Sequence, residues 1–213
     1  MRAARGILPL LCLALGCGGP EVPNLDSRGT TIVCLGDSIT AGVGTPRGSA
    51  YPALLEARLG VPVIAAGVPG DTSGEALRRL GPALAQDPWL VVVELGGNDL
   101  LRRRPVADTE ADLRAIVEGV LAAGAIPLLV EVRGPLWGGA YGELFRRLGE
   151  DYGVPVVEDV LAQVLADPEL KSDAIHPNAA GHARIAEALA EVVEPLLAAR
   201  RRLGLAAPAG RAA

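Results

Sequence analysis

The chain has 213 residues, a formal net charge of −5 and 50% hydrophobic residues. This length suits one domain with short extensions, and the apolar content allows a sizeable core. The acidic balance argues against nucleic acid as a partner, because binding phosphate groups requires a basic face. Aromatic residues make up only 3% of the chain, so it has few side chains that could stack on sugars or single-stranded bases.

The first residues are typical of an export signal. Two arginines precede the apolar run 7–15, which is too short to span a bilayer as a permanent helix. The run ends at Gly16-Cys17, and a small residue followed by cysteine is typical of a bacterial lipoprotein signal. We expect residues 1–17 to be such a signal, with lipid on Cys17 holding the protein to the periplasmic side of a membrane. A plain secretory signal, giving a periplasmic or secreted protein, is the alternative.

Residues 18–29 are rich in Gly, Pro, Asn, Asp and Ser, which is typical of a flexible tether. We expect one domain over residues 30–203 and a disordered tail over 204–213. Cys34 is the one cysteine left inside that domain, and its apolar neighbours predict that it is buried as a small hydrophobic residue. The domain therefore has no disulfide, and its core must stabilise it.

Apolar strand candidates alternate with helix candidates along the expected domain. Predicted strands cover 30–35, 61–66, 89–95, 126–132 and 154–157, and predicted helices cover 50–59, 73–86, 108–123, 141–152, 159–165 and 178–203. We expect Pro195 to kink or divide the last helix. Strands that are apolar throughout indicate a parallel sheet covered on both faces. The sequence therefore predicts an α/β fold, a three-layer α/β/α sandwich around a five-stranded parallel sheet.

The first predicted strand ends at the motif Gly-Asp-Ser, residues 36–38. In a parallel sheet, ligands bind beyond the carboxyl ends of the strands, so a serine at this place faces the binding crevice. Ser38 is therefore a candidate nucleophile, with Asp37 beside it as a supporting residue. An ordinary turn is the simpler interpretation, because Gly, Asp and Ser are the usual turn residues.

Two more motifs follow the second and third predicted strands. Gly70 precedes the run Asp-Thr-Ser, and without a Cβ it can present its backbone N–H to a ligand. The motif Gly-Gly-Asn-Asp contains Gly97, Asn98 and Asp99, and the amide of Asn98 can donate a hydrogen bond into the same crevice. Helix capping after Gly70 and turn capping by Asn98 are the simpler interpretations.

Asp173 and His176 are three residues apart in one predicted loop before the last helix. A carboxylate at this spacing can orient the imidazole and stabilise its charged form, which leaves the other ring nitrogen free to act as a base. The chain has only two histidines, and His182 lies inside the last predicted helix with no acid beside it. We expect His182 to have a packing or surface role, so His176 is the candidate base for Ser38.

These motifs, in this order, resemble the SGNH hydrolase family, the GDSL-like esterases and lipases. The blocks are Gly-Asp-Ser at 36–38, Gly70, Gly-Gly-Asn-Asp at 96–99 and Asp-x-x-His-Pro at 173–177. The resemblance covers essentially all of residues 30–200. Within the family, the chain is most similar to bacterial periplasmic acyl thioesterases, lysophospholipases and arylesterases.

The resemblance implies a flavodoxin-like sheet and a serine esterase that cleaves esters or thioesters through an acyl-enzyme. It implies a triad of Ser38, Asp173 and His176, and an oxyanion hole made by Ser38, Gly70 and Asn98. It implies no cofactor, and no metal site is expected from two histidines without paired cysteines. The implied substrate is a small acyl ester or a lysolipid, and the protein is expected to be a monomer.

Two other functions stay open from the sequence. A deacetylase of sugars or envelope glycans would use the same triad, although the scarcity of aromatic residues weighs against it. A non-catalytic lipoprotein that binds lipid should have lost at least one position of the triad or the oxyanion hole, and all are present. The absence of a Gly-x-Ser-x-Gly motif argues against the ordinary α/β-hydrolase fold.

Overall fold

A computed structural model describes residues 22–133 and 138–205, with the backbone alone for 138–140. Its strands are β1 (Thr31–Gly36), β2 (Val63–Gly67), β3 (Pro88–Glu94), β4 (Ile126–Val130) and β5 (Val156–Val157). They form one sheet in the order β2-β1-β3-β4-β5, and every neighbouring pair is parallel. The predicted α/β fold with a five-stranded parallel sheet is confirmed.

The described residues also form α-helices, most of which pack in two groups. They are α1 (Ser38–Ala41), α2 (Tyr51–Leu59), α3 (Ser73–Arg78), α4 (Leu80–Leu84), α5 (Gly97–Leu101), α6 (Val106–Ala122), α7 (Gly138–Tyr152), α8 (Val160–Ala166) and α9 (Ala179–Arg202). Helix α9 contacts α2 and α8, whereas α6 contacts α3, α4 and α7. Both groups also contact the strands, so the apolar sheet is covered on both faces.

The core is formed by the central strands and the helix faces that cover them. Every residue of β3 and β4 is buried, which explains why these strands are apolar, apart from Glu94 at the end of β3, rather than alternating. The thiol of Cys34 is fully buried, as predicted. Burial raises the pKa of Cys34 to about 12, so the thiol stays protonated and unreactive at neutral pH.

Two helix predictions differ from the structure. The segment predicted as one helix over 73–86 is divided between α3 and α4, at Arg79. Pro82 lies three residues later and lacks the N–H that would bond the carbonyl of Arg78, so one continuous helix would lose that bond and clash there. Conversely, Pro195 does not divide α9, which is one helix. The carbonyl that Pro195 leaves free belongs to exposed Glu191 and can bond water.

The described part of the expected tether, residues 22–29, is bound to the domain. Asn24 donates side-chain hydrogen bonds to the carbonyls of Leu121 and Ala125, at 2.9 and 3.0 Å. The buried guanidinium of Arg200 donates to the carbonyls of residues 25, 27 and 29, and lies 4.6 Å from the ring centre of Trp89. This arrangement differs from the flexible tether expected over 18–29, because buried polar groups hold these residues in place.

The predicted signal and its Cys17 lie outside the described residues, as does most of the tail predicted over 204–213. Of that tail, Gly204 and Leu205 are described, and they close α9 through backbone hydrogen bonds to Arg201 and Arg200. In residues 22–133 and 138–205, no helix is both long and apolar enough to cross a bilayer.

Candidate active site

The carboxyl ends of β1 and β3 lie side by side at the centre of the sheet, where the strand order reverses. Ligands of open α/β sheets bind at such a point. Half-buried Ser38 is the first residue of α1, and Asp37 caps that helix by accepting the N–H of Ile39 at 3.0 Å. A Cβ on Gly36 would come within 1.9 Å of the Thr40 hydroxyl, so only glycine permits this tight turn.

Asp173, His176 and Ser38 form one hydrogen-bonded series. His176 Nδ1 lies 2.8 Å from Asp173 Oδ2, and His176 Nε2 lies 3.1 Å from Ser38 Oγ. Asp173 Oδ1 also accepts the backbone N–H groups of Ile175 and His176, both at 2.9 Å. The N–H of Ile175 and the imidazole lower the pKa of Asp173 to about 2, so the carboxylate is charged at neutral pH.

The loop that carries His176 is fixed at both ends. Asn178 caps α9 by accepting the N–H groups of Ala180 and Gly181. On the other side, Gly44 has a φ of +89°, and a Cβ there would meet Ser172 Oγ at 2.3 Å. Both the backbone angle and the close approach therefore require glycine at position 44.

Asn98 and Gly70 reach the same edge from neighbouring loops. Asn98 Nδ2 donates to Asp37 Oδ2 at 2.8 Å and to the carbonyl of Asp71 at 3.0 Å, so both amide hydrogens have acceptors. Gly70 lies in a turn closed by the N–H of Asp71 on the carbonyl of Val68, and its φ of +87° favours glycine. Asp37 therefore links the nucleophile turn directly to Asn98.

The two other supporting residues have different surroundings. Asp99 is fully buried and accepts the N–H and the hydroxyl of Ser73, at 2.8 and 2.7 Å, and the guanidinium of Arg104. It fixes α5 to the start of α3. Gly97 lies against Asp37, since a Cβ there would be 3.6 Å from Asp37 Oδ2.

A cavity of about 320 Å³ opens beside Ser38 and Asn98. Its lining is mainly aliphatic, from α1, α5, α8, the loop after β4 and the loop that carries His176. The aliphatic residues are Ile39, Leu100, Leu101, Val132, Leu161, Ala162, Leu165, Ala174 and Ile175. Arg133 and Lys171 add two cationic side chains. An apolar cavity with few polar groups suits a small ligand with a hydrocarbon part.

Comparison with known proteins supplies the family. Residues 34–184 match the model of the GDSL-like Lipase/Acylhydrolase family. The chain belongs to this family. It is 38% identical over 176 residues to thioesterase 1/protease 1/lysophospholipase L1 of Escherichia coli K12, a match that covers 78% of this chain and 85% of that protein. It is 33% identical over 200 residues to esterase TesA of Pseudomonas aeruginosa, covering 87% and 98%.

Solved structures agree with these relatives. A crystal structure of TesA aligns with a TM-score of 0.74 at 33% identity, covering 78% of this chain and 99% of the other. The esterase EstA from Pseudoalteromonas aligns with a TM-score of 0.72 at 29% identity, covering 79% and 99%. The resemblance to the GDSL-like hydrolases is confirmed, and the protein is a hydrolase that acts on ester bonds.

Glu94 is a residue of this hydrolase that our sequence reasoning did not single out. It ends β3, is buried, and its Oε2 accepts the Thr40 hydroxyl at 2.9 Å, while that hydroxyl lies 2.7 Å from the Tyr51 hydroxyl. Burial, and next the charge of Asp37, raises the pKa of Glu94 well above its usual value. The available signal was one acidic residue at the end of an otherwise apolar strand.

Arg79 is a second residue that our sequence reasoning missed. Its guanidinium contacts Asp71 Oδ2 at 2.5 Å and donates to the carbonyls of Ala66 and Gly36, at 2.6 and 2.7 Å. It therefore fixes the carboxyl ends of β1 and β2 to the loop that holds Gly70. No sequence signal marked it, because an arginine within a predicted surface helix is usually solvated.

His182 lies within the core of the hydrolase and does not contact Ser38. Its ring is fully buried and stacks on Tyr51, with ring centres 6.3 Å apart, and its Nδ1 accepts the N–H of Tyr51 at 3.2 Å. The expected packing role is confirmed. Burial lowers the pKa of His182 to about 4, so the folded protein holds this ring uncharged.

This shift predicts a loss of stability in mild acid. An unfolded chain protonates His182 near pH 6.5, whereas the folded protein resists protonation until about pH 4. The stabilisation is complete above pH 6.5 and is lost as pH falls through that window. We expect this residue to lower the free energy of unfolding by roughly 2 kcal/mol between pH 7 and 4.5. Urea unfolding of wild type and His182→Asn measures it; parallel pH curves for the two proteins would contradict it.

Proposed function

We propose that the protein is a serine esterase that hydrolyses carboxylic esters or thioesters of acyl chains, with Ser38 as nucleophile. The series Asp173–His176–Ser38, at 2.8 and 3.1 Å beside an apolar cavity, is the observation that carries the proposal. We keep the monomer expected from the sequence as part of this proposal.

In the first step, His176 Nε2 accepts the hydroxyl proton while Ser38 Oγ bonds to the substrate carbonyl carbon. The Nδ1–H of the charged imidazole then donates to Asp173, which stabilises the positive ring. Collapse of the tetrahedral intermediate breaks the bond to the alcohol or thiol, which takes the proton from His176. Water then attacks the acyl carbon and gives a proton to the same ring. That proton passes to Ser38 Oγ as its bond to the acyl carbon breaks and the acid leaves.

The proposed oxyanion donors are the backbone N–H groups of Ser38 and Gly70 and the side-chain amide of Asn98. One amide hydrogen of Asn98 is held by Asp37, and the other bonds the carbonyl of Asp71. We propose that this second N–H turns from the carbonyl of Asp71 and donates its hydrogen bond to the substrate oxygen as negative charge develops. Such donors act mainly in the transition state, and loss of one typically costs about 10²–10³ in turnover.

The lining of the cavity favours binding of an acyl chain rather than a sugar. Its described lining is mainly aliphatic and contains no aromatic ring on which a sugar could stack. Relatives carry the names thioesterase, lysophospholipase and arylesterase, which describe acyl substrates. The proposed substrate class is therefore a small acyl ester, thioester or lysolipid.

A panel of substrates tests this function. We would assay p-nitrophenyl esters from acetate to palmitate, an acyl-CoA, a lysophospholipid and an acetylated sugar with the purified protein, beside Ser38→Ala. The proposal predicts turnover of acyl esters that depends on Ser38. Turnover of the acetylated sugar alone would favour the deacetylase, and a folded protein inactive on every substrate would favour the binding lipoprotein.

We also propose that the protein is exported and lipidated on Cys17, as the sequence predicts. In a bacterial host fed labelled palmitate, we expect the wild type to be labelled and to enter the detergent phase. Cys17→Ser should lose both properties, whereas Cys34→Ala should keep them because that thiol lies in the core. An unlabelled wild type would instead support the plain secretory signal.

A further inference from the structure

Two buried carboxyl groups, those of Asp37 and Glu94, line the cavity beside Ser38. Asp37 is 4% exposed and Glu94 is 1% exposed. Within the described residues, neither forms a salt bridge with a lysine or arginine. Two adjacent negative charges without a cation repel strongly at low dielectric, so such a pair retains one proton at neutral pH.

The hydrogen-bond donors around the pair indicate which residue holds that proton. Asp37 accepts two N–H groups, from Ile39 at 3.0 Å and from Asn98 at 2.8 Å, and both stabilise its charged form. Glu94 accepts the neutral hydroxyl of Thr40 through Oε2, and it lines the same cavity as Asp37. The proton therefore belongs on Glu94, with Asp37 as the anion that accepts it.

We propose that Glu94 is a positioning residue, whose protonated carboxyl donates to Asp37 and so keeps Asp37 fixed as the acceptor for one amide hydrogen of Asn98. The other amide hydrogen, which here bonds the carbonyl of Asp71, is then held where it can turn to the substrate oxygen as that oxygen becomes negative. This inference rests on the proposed function, in which Asn98 is an oxyanion donor. Glu94 thus acts through two other side chains, without itself contacting the reacting atoms.

Loss of the Glu94 proton in alkali would place a second negative charge beside Asp37. This charge would disturb the position of the Asn98 amide that Asp37 accepts. The ionisable groups that face the pair are Asp71, His176, Cys34 and Tyr51. Burial raises the pKa of Cys34 to about 12 and that of Tyr51 well above its usual range. Both groups therefore stay protonated at neutral and mildly alkaline pH. We expect turnover to decline on the alkaline side as Glu94 loses its proton.

Two substitutions at Glu94 separate positioning from packing. Glu94→Gln keeps a donor for Asp37 and an acceptor for Thr40, but it cannot ionise. We expect it to retain at least about a third of kcat and to lose the alkaline decline. Glu94→Ala removes the donor, and we expect kcat to fall about 10- to 100-fold with KM within about threefold. Val120→Ala, a core residue of α6, controls for lost stability, which thermal unfolding measures.

A double-mutant cycle with Asn98→Ala tests the route of the effect. If Glu94 acts through Asn98, then Glu94→Ala should cost less than about threefold in the Asn98→Ala background. The inference is overturned if Glu94→Gln is as impaired as Glu94→Ala, if its alkaline decline persists, or if the full cost remains without Asn98. Hydrolysis that survives Ser38→Ala would overturn the proposed function instead, so the two failures are distinct.

Discussion

Replacing Ser38 with alanine is expected to abolish ester hydrolysis and leave the fold intact. The substitution removes the oxygen that lies 3.1 Å from His176 Nε2, so no covalent acyl-enzyme can form. Removal of such a nucleophile costs about 10⁴–10⁶ in kcat. Because the hydroxyl bonds only His176 among the described side chains, thermal unfolding should change little. Initial rates on p-nitrophenyl butyrate measure the loss of turnover. Thermal unfolding followed by far-UV circular dichroism measures the stability of the fold.

A matched serine provides the comparison for this experiment. Ser49 lies in a loop, and Ser49→Ala should keep wild-type turnover. A fluorophosphonate should add one covalent group to wild type and to Ser49→Ala, as measured by intact mass. It should add none to Ser38→Ala. If Ser38→Ala kept more than a few percent of the wild-type kcat, a nucleophile other than Ser38 would have to be sought.

Replacing His176 with alanine should produce a loss of similar size. Without the imidazole, nothing takes the proton from Ser38, and the leaving group receives none, so both halves of the reaction slow. We expect kcat to fall by about 10⁴-fold or more, with KM changed much less. The half-exposed side chain of Asp173 would then remain solvated, so the free energy of unfolding should change only slightly.

The second histidine is the internal control for this prediction. His182→Asn keeps an acceptor for the N–H of Tyr51 and should keep turnover, while its acid stability changes as described above. Steady-state kinetics of both variants at pH 7.5 separate a chemical role from a packing role. Equal losses in the two variants would mean that the effect of His176 comes from folding rather than from proton transfer.

The sequence by itself determined the sheet and the residues at its carboxyl edge. Long apolar runs can only be buried on both faces, which fixes a parallel sheet, and any residue directly after such a strand lies at one edge. The contact between Asp173 and His176 was also predictable, because the two residues lie in one short loop and their pairing is local. Ser38 and Asn98 were predicted because each lies shortly after an apolar strand.

Only the tertiary structure decided which polar groups meet under that edge. Asp37 contacts Asn98 across 61 residues of sequence, and Thr40 contacts Glu94 across 54. Two arginines likewise join distant segments: Arg79 donates to the carbonyl of Gly36, and Arg200 donates to carbonyls within residues 25–29. No periodicity or motif encodes such pairs, because each depends on side-chain directions and on burial that exist only after the strands have assembled.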